Sequence, residues 1–295
     1  MKILVIGGSY FFGRWFVELA HKDHEITVLN RGNISVDIDG VKELKCDRHD
    51  SEGLKNLNLG RVPYDVCVDF CAYDKGDIEG ILKYLDTDAL KKYIFISTVD
   101  VYKKRDGVTG EDAPLEDVFG EGMQGAYIAG KVSLEHELKA AVSGKGIKPV
   151  SVRPAVLYGP LNYAPRESIY FEWIDKAGQI IHPVGADGSW QMIFVEDAAV
   201  ALLKLCLLND ADTDEAYNFC TDEIITYEVF EKALEALGKP FSRVEASLDQ
   251  VEEGNIPLPF PLRSSESAVC SSDRYERLAE AKTGIIEGLK RCRNL

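Results

Sequence analysis

Tyr127 and Lys131 stand four residues apart in Tyr127-Ile128-Ala129-Gly130-Lys131, a spacing that sets a phenol and an ammonium on one face of a helix. A free tyrosine titrates near a pKa of about 10. A fixed positive charge beside it favours the phenolate and pulls that value toward neutral pH, as proton exchange with an alcohol requires. Thr98, at the end of Tyr93-Ile94-Phe95-Ile96-Ser97-Thr98, supplies a hydroxyl able to hydrogen-bond a substrate oxygen. Asp100, two residues on, offers a carboxylate that can abstract a proton. A tyrosine–lysine pair at this spacing arises by chance in many helices, so its meaning depends on what the surrounding elements place beside it.

A second constellation sits near the N-terminus. Gly7-Gly8-Ser9-Tyr10-Phe11-Phe12-Gly13 follows an apolar strand pattern and precedes a helical one. Gly7 and Gly13 occupy the outer positions of a dinucleotide-binding turn, where glycine permits a tight bend and close helix–strand approach. Backbone N–H groups at the start of the new helix can then hold a pyrophosphate. Tyr10 replaces the middle glycine, so its side chain is expected to project over the phosphates or adenosine, or to narrow the site. The second strand ends in Leu29-Asn30-Arg31-Gly32. A carboxylate at that tip suits the ribose hydroxyl of NAD and an arginine suits the 2′-phosphate of NADP, so Asn30 and Arg31 favour NADP. Asp47 and Arg48, after the third strand, either flank the adenine or form an exposed surface pair.

These groups need a scaffold that brings strand ends together. Ile3–Ile6, Glu25–Leu29, Tyr64–Phe70, Tyr93–Ser97 and Pro149–Arg153 read as strands. Helical patterns over Arg14–His21, Gly76–Leu85, Tyr127–Val142 and Val195–Leu208 separate or follow them. Strands alternating with helices predict an α/β fold: a Rossmann-type doubly wound parallel sheet, its strands apolar throughout because both faces are covered. Beyond Pro160 the pattern breaks into smaller pieces, predicting a C-terminal α/β substrate lobe from 161–187 and 223–295. Residues 1–160, with 188–222 returning, form the dinucleotide-binding part.

Composition narrows the function. Among the 295 residues, 34 Lys and Arg against 49 Asp and Glu leave a formal charge of -15, a field that repels a phosphate backbone and disfavours sequence-blind nucleic-acid binding. No apolar run reaches a membrane span. Seven cysteines without a C-x-x-C pair, and no export signal, point to reduced thiols in a cytoplasm. His21, His24, His49, His136 and His182 show no metal-ligand spacing, so no metal site is expected. The acidic segment Glu111, Asp112, Glu116, Asp117 and Glu121 reads as a solvated loop rather than a lid over the pocket.

Taken together, the glycine turn, Asp69-Phe70-Cys71-Ala72, Ile96-Ser97-Thr98 with Val101-Tyr102, Tyr127 with Lys131, and Arg153-Pro154 through Tyr158-Gly159-Pro160 resemble the extended short-chain dehydrogenase/reductase family. The likeness is to NAD(P)-dependent epimerase/dehydratase-like proteins, and it continues through Val195-Glu196-Asp197 and Ala216-Tyr217-Asn218. The variant glycine turn and Asn-Arg-Gly resemble an atypical branch that includes the chloroplast stem-loop RNA-binding proteins. The resemblance implies an oxidoreductase acting on a sugar or nucleotide-sugar alcohol, with Tyr127 as acid/base, Lys131 as its electrostatic partner and Thr98 as hydroxyl helper. It implies further cofactor contacts from Phe70, Cys71, Ala72, Ser97, Pro154 and Val156, and substrate contacts from Arg166, Tyr170, Trp190 and Arg263. Trp190 stands where nucleotide-sugar epimerases carry an arginine for the diphosphate, and Arg263 where a second arginine grips it. A homodimer, pairing the helix of Tyr127 with the one after the fourth strand, is also implied. The alternative is a cofactor-bound, non-catalytic RNA-binding or redox-sensing protein of the same fold.

Overall fold

The computed structural model describes residues 1–104, 107–279 and 282–293. Its first part runs β1 (Lys2–Ile6), α1 (Phe11–Ala20), β2 (Glu25–Asn30), β3 (Lys42–Lys45), α2 (Ser51–Leu57), β4 (Val66–Asp69), α3 (Asp77–Leu82), β5 (Lys92–Ile96), α4 (Gly122–Val142) and β6 (Lys148–Pro154). There follow β7 (Val156–Tyr158), α5 (Glu167–Ala177), β8 (Gln179–Val184), β9 (Trp190–Phe194), α6 (Val195–Leu207) and β10 (Ala216–Phe219). The chain then forms β11 (Ile224–Ile225), α7 (Tyr227–Glu235), β12 (Ser242–Ser247), α8 (Leu248–Glu253), α9 (Asp273–Glu276) and α10 (Ile285–Arg293).

Seven strands form one sheet in the order β10-β6-β5-β4-β1-β2-β3, all parallel. The order reverses direction between β1 and β4, the place where open α/β sheets leave a crevice beyond the strand ends. Alternate residues feed opposite cores. Ile3, Val5, Val66, Val68, Ile94 and Ile96 pack with α1 and α6 on one face. Leu4, Ile6, Cys67, Tyr93 and Phe95 pack with α2, α3 and α4 on the other. Double coverage makes these strands continuously apolar, as the sequence pattern requires.

The second part holds a three-stranded sheet, β11-β9-β7, and a two-stranded one, β12-β8. They enclose an aromatic core of Tyr158, Tyr170, Trp190, Phe194, Phe230 and Phe260. Strand β9 therefore belongs to the small sheet, and the chain rejoins the large sheet through α6 and β10. Helix α4 begins at Gly122, earlier than its apolar periodicity suggests, because Gly-Met-Gln-Gly carries no apolar repeat. Gly125 permits this start: a Cβ there would lie 1.7 Å from the Gly120 carbonyl oxygen.

Several residues quoted for the family resemblance meet in one buried network. Arg153 donates to both carboxylate oxygens of Glu135 at 2.9 and 2.6 Å, and to the Tyr102 hydroxyl at 2.6 Å. Tyr102 donates in turn to Asn218 at 2.5 Å. These contacts tie α4, β6, β10 and the segment after β5 together. Removing one partner of a buried ion pair strands the other charge. Arg153→Met is therefore expected to cost about 3–5 kcal/mol in urea unfolding, with Glu135→Leu in the same chain restoring part of it. A loss under about 1 kcal/mol for the single variant would refute this role.

Candidate active site

Gly7 (φ 93°) and Gly8 (φ 80°) turn the chain out of β1. A Cβ on Gly8 would lie 2.8 Å from Val5 Cγ1, and one on Gly13 only 2.6 Å from the Gly8 Cα. Glycine at both places lets α1 start directly against the end of β1. Tyr10 occupies the N-cap of α1 and makes no capping hydrogen bond with its side chain, so the first N–H groups of the helix remain available to an anion. They open onto a crevice of about 660 Å³ at the carboxyl edge of the large sheet.

Gly7, Gly8, Ser9, Tyr10, Phe11, Phe12 and Gly13 line one end of this crevice, with Asn30, Arg31, Asp47 and Arg48. Asn30 is fixed on both sides: its amide donates to Ser9 Oγ and to Glu43 Oε1 at 2.8 Å each, and its oxygen accepts from the Gly32 N–H at 2.7 Å. The Asn30 amide, followed by the Val36 N–H and the Ser35 hydroxyl, holds the Glu43 carboxyl below its ordinary value against the effect of burial. Arg31 is exposed at the crevice and forms no ion pair among the described residues. Arg48 lines the crevice with its side chain largely buried, against the reading of an exposed surface pair. Its guanidinium grips Asp69 in bidentate fashion at 3.1 and 2.9 Å and donates to the Asp77 carbonyl at 2.7 Å. Asp69 also accepts from the Tyr93 hydroxyl at 2.7 Å. Arg48 thus forms part of the crevice floor, with its charge already matched. Tyr10 projects outward, 44% exposed, its ring 5.9 Å from that of Tyr163 across the crevice.

Phe70 and Cys71 line the crevice against Gly7, and Ser97, Thr98, Tyr127, Lys131, Pro154 and Arg166 line it as well. Lys131 is 3% exposed, and its ammonium donates to the carbonyls of Ala72 at 3.1 Å and Ile96 at 2.9 Å. The same nitrogen lies 4.6 Å from the Tyr73 ring centroid and 5.8 Å from that of Tyr127. Burial lowers Lys131 to about 8, opposed by the charge of Asp69. Tyr127 is 40% exposed on the crevice wall. Its phenol sits above its ordinary value, raised first by burial and then by the Asp100 carboxylate. This runs against the expected lowering: the ammonium donates to two backbone carbonyls 5.8 Å from the ring centroid, and the main charge effect on the phenol is that of the Asp100 carboxylate. Thr98 Oγ1 donates to Asp100 Oδ2 at 3.0 Å and accepts from the Asp100 N–H at 3.2 Å.

Ser97 Oγ is buried on the crevice wall without a hydrogen-bond partner, a cost normally met by a ligand or water. That orphan hydroxyl, the uncapped helix start and the two glycines with no room for a Cβ fit an elongated phosphate-bearing dinucleotide.

Some expected contacts lie elsewhere. Ala72 is fully buried and reaches the site only through its carbonyl on Lys131. Val156 is outside the crevice lining, whereas its neighbours Ala155 and Leu157 line it, as alternation along β7 dictates. Asp100 borders an adjoining cavity instead. Tyr170 and Trp190 are core residues; Trp190 stacks on Phe260 at 4.3 Å, and Tyr170 packs edge-on against Phe230 at 5.0 Å. Arg263 is held by Glu252 at 2.5 Å and Glu266 at 3.5 Å on the surface. Conversely, Tyr73, His49, Asp77 and Tyr163 line the crevice unforeseen. Tyr73 directly follows the Asp69–Ala72 segment, which was the one available signal. Among the described residues no group of three or more His, Cys, Asp or Glu is placed to hold a metal, and no helix is long and apolar enough to cross a membrane.

Residues 78–220 match the model of the NAD dependent epimerase/dehydratase family. The chain is 30% identical over 254 residues to the chloroplast stem-loop binding protein of 41 kDa b of Arabidopsis thaliana, across 80% of this chain and 63% of that protein's length. Among solved structures, a UDP-glucose 4-epimerase of Thermus thermophilus in complex with NAD superposes with a TM-score of 0.74 at 23% identity, covering 99% of this chain and 97% of that one. The dTDP-glucose 4,6-dehydratase of Bacillus anthracis str. Ames in complex with NAD gives a TM-score of 0.76 at 18% identity, covering 99% and 95%. The chain thus has the fold of these structures, and its segment 78–220 matches the NAD dependent epimerase/dehydratase family.

Proposed function

We propose that the protein is an NAD(P)-dependent oxidoreductase of epimerase, dehydratase or reductase type, acting on the alcohol of a sugar or nucleotide sugar. The observation that carries this reading is the meeting, on one crevice, of a dinucleotide-type glycine turn with Thr98, Tyr127 and Lys131 beside the unpartnered Ser97 hydroxyl. Gly7–Gly13, Asn30, Arg31, Asp47, Phe70, Ser97 and Pro154 are the residues to hold the cofactor. A bound oxidised nicotinamide supplies a two-electron acceptor for the alcohol carbon.

The chain's own groups then divide the proton work. Tyr127 holds its proton in the free protein, because burial and Asp100 disfavour the phenolate, so it is poised as an acid toward a carbonyl oxygen. To act as a base toward an alcohol it must first lose that proton. Lys131 fixes the helix and sets a positive charge under the phenol ring. Thr98, its hydrogen committed to Asp100, is left to accept a hydrogen bond from a substrate hydroxyl. Arg166 lines the crevice with Asn162, Tyr163 and Ala164, the residues of the proposed substrate lobe that reach it. All seven cysteines are free thiols, in keeping with a reducing cytoplasm. The homodimer expectation rests on resemblance alone, and the outer residues of α3 and α4 include exposed Glu79 and His136.

A second reading, a stem-loop RNA binder without chemistry, draws support from the chloroplast relative. The charge of -15 opposes it. Filter binding of a stem-loop RNA across a salt series separates the two, because steep salt-dependent affinity is the mark of phosphate contacts.

Replacing Tyr127 by Phe is expected to lower turnover by about 10²-fold or more while leaving cofactor affinity nearly unchanged; full turnover in that variant removes Tyr127 as the proton carrier. NADPH is expected to bind more tightly than NADH in fluorescence titrations, with Arg31→Ala erasing the difference. Equal affinities in the unaltered protein would assign Arg31 to the surface instead.

A further inference from the structure

The loop after β7 forms an arch that returns to the start of α1. Gly159 (φ 135°) turns it out of the strand, at a place where a Cβ would lie 2.6 Å from Val195 Cγ1, and Leu161 (φ 67°) bends it again. The buried Glu167 carboxylate braces its base, accepting from the Gly159 N–H at 3.2 Å and from the Asn162 amide at 3.4 and 3.3 Å. Arg166 ties down the far end by donating to the Leu157 carbonyl at 3.0 Å. Three contacts then join the arch to α1 and its N-cap. Trp15 Nε1 donates to the Pro160 carbonyl at 3.1 Å, and the Tyr163 ring lies edge-on to Phe11 at 6.1 Å and 5.9 Å from Tyr10.

The last of these contacts joins opposite walls. Tyr10 stands on the glycine turn and Tyr163 on the arch, and both line the crevice. Tyr163 also reaches toward the proton-transfer end: after burial, Asp100 and Tyr73, its phenol adds to the effects that keep Tyr127 protonated. A dinucleotide laid from the start of α1 to Tyr127 therefore has to pass the Tyr10–Tyr163 contact. Both rings stand in water, Tyr10 44% and Tyr163 69% exposed. Among the described residues five aromatic side chains are exposed, and four of them, Tyr10, Tyr73, Tyr127 and Tyr163, line this one crevice. Exposed apolar surface gathered in one place marks a surface that a ligand covers.

We propose that Tyr10 and Tyr163 form a clasp across the crevice, which must open to admit a nicotinamide dinucleotide and open again to release it. The proposal rests on the dinucleotide reading of the crevice and gives a role to the side chain that replaces the middle glycine. Backbone N–H groups at the start of α1 remain available to the phosphates whether the clasp is open or shut. The clasp accordingly sets the rates of exchange more than the affinity. One contact closes it, so losing either ring has the same effect as losing both.

The test is stopped-flow fluorescence with NADPH, association being followed on mixing and release on displacement by excess NADP+. In Tyr10→Ala, in Tyr163→Ala and in the double variant, both rates are expected to rise by about three- to tenfold, the range an aromatic pair supports. The double variant is expected to be no faster than either single one, and the Kd to move by less than about twofold. Tyr10→Phe and Tyr163→Phe keep the rings and are expected to keep the slow rates. Should Tyr163→Ala disturb the arch, as its melting temperature would reveal, Tyr10→Ala breaks the same contact from the other wall. Unchanged rates in Tyr10→Ala, a rise in release alone, or additive effects in the double variant would overturn the clasp. No nicotinamide binding by the unaltered protein removes the cofactor reading and the clasp with it, whereas binding with rates that the alanine variants leave unaltered removes the clasp alone.

Discussion

One buried ammonium group holds the site together. Lys131 projects from α4 into the carboxyl edge of the sheet and donates to the carbonyls of Ala72, just after β4, and Ile96, at the end of β5. A lone charge at this depth would be costly. Two carbonyl acceptors, the faces of Tyr73 and Phe95 within 4.7 Å, and the nearby Asp69 charge offset that cost. The result is a fixed register between the longest helix and the strand ends, and Tyr127 one turn earlier inherits its place from it. Around this anchor the Asp69–Arg48–Tyr93 cluster builds the floor, and Arg153 with Glu135 secures the far side of the same helix.

The electrostatics give the two polar walls different characters. Near β2, Arg31 is the cation with no carboxylate partner among the described residues, while Asn30 is immobilised by Glu43 and Ser9. Near β5, Asp100 takes the Thr98 hydrogen and raises the Tyr127 phenol. The free protein therefore keeps its phenol protonated. Lys131 already sets one positive charge 5.8 Å from the ring centroid, committed to two carbonyls, and an oxidised nicotinamide bound beside the ring would add a second.

Much of this was legible in the sequence, because the governing interactions are local. Strands β1, β2, β4, β5 and β6 declared themselves as apolar runs, Gly7 to Gly13 marked the turn, and Tyr127 with Lys131 fell on one helical face. What failed was long-range pairing. Arg48 and Asp69 are 21 residues apart in sequence, and nothing in either segment announces a buried ion pair. Trp190 and Tyr170 were assigned to ligand by position, yet a small lobe needs aromatic bulk to close its core, and packing against Phe230 and Phe260 claimed both. Arg263 was read as a phosphate grip, and two acidic neighbours, one eleven residues upstream, took it. The orphan hydroxyl of Ser97 is likewise a property of three-dimensional surroundings and leaves no trace in the residue order.

The most direct measurement is a crystal structure of the protein soaked with NADP+. The account predicts density along the crevice, with phosphates at the start of α1, the nicotinamide beside Tyr127, and a polar contact that engages Ser97 Oγ. A dinucleotide bound elsewhere, or a crevice closed by its own side chains with the Tyr127 hydroxyl turned out to solvent, would contradict it.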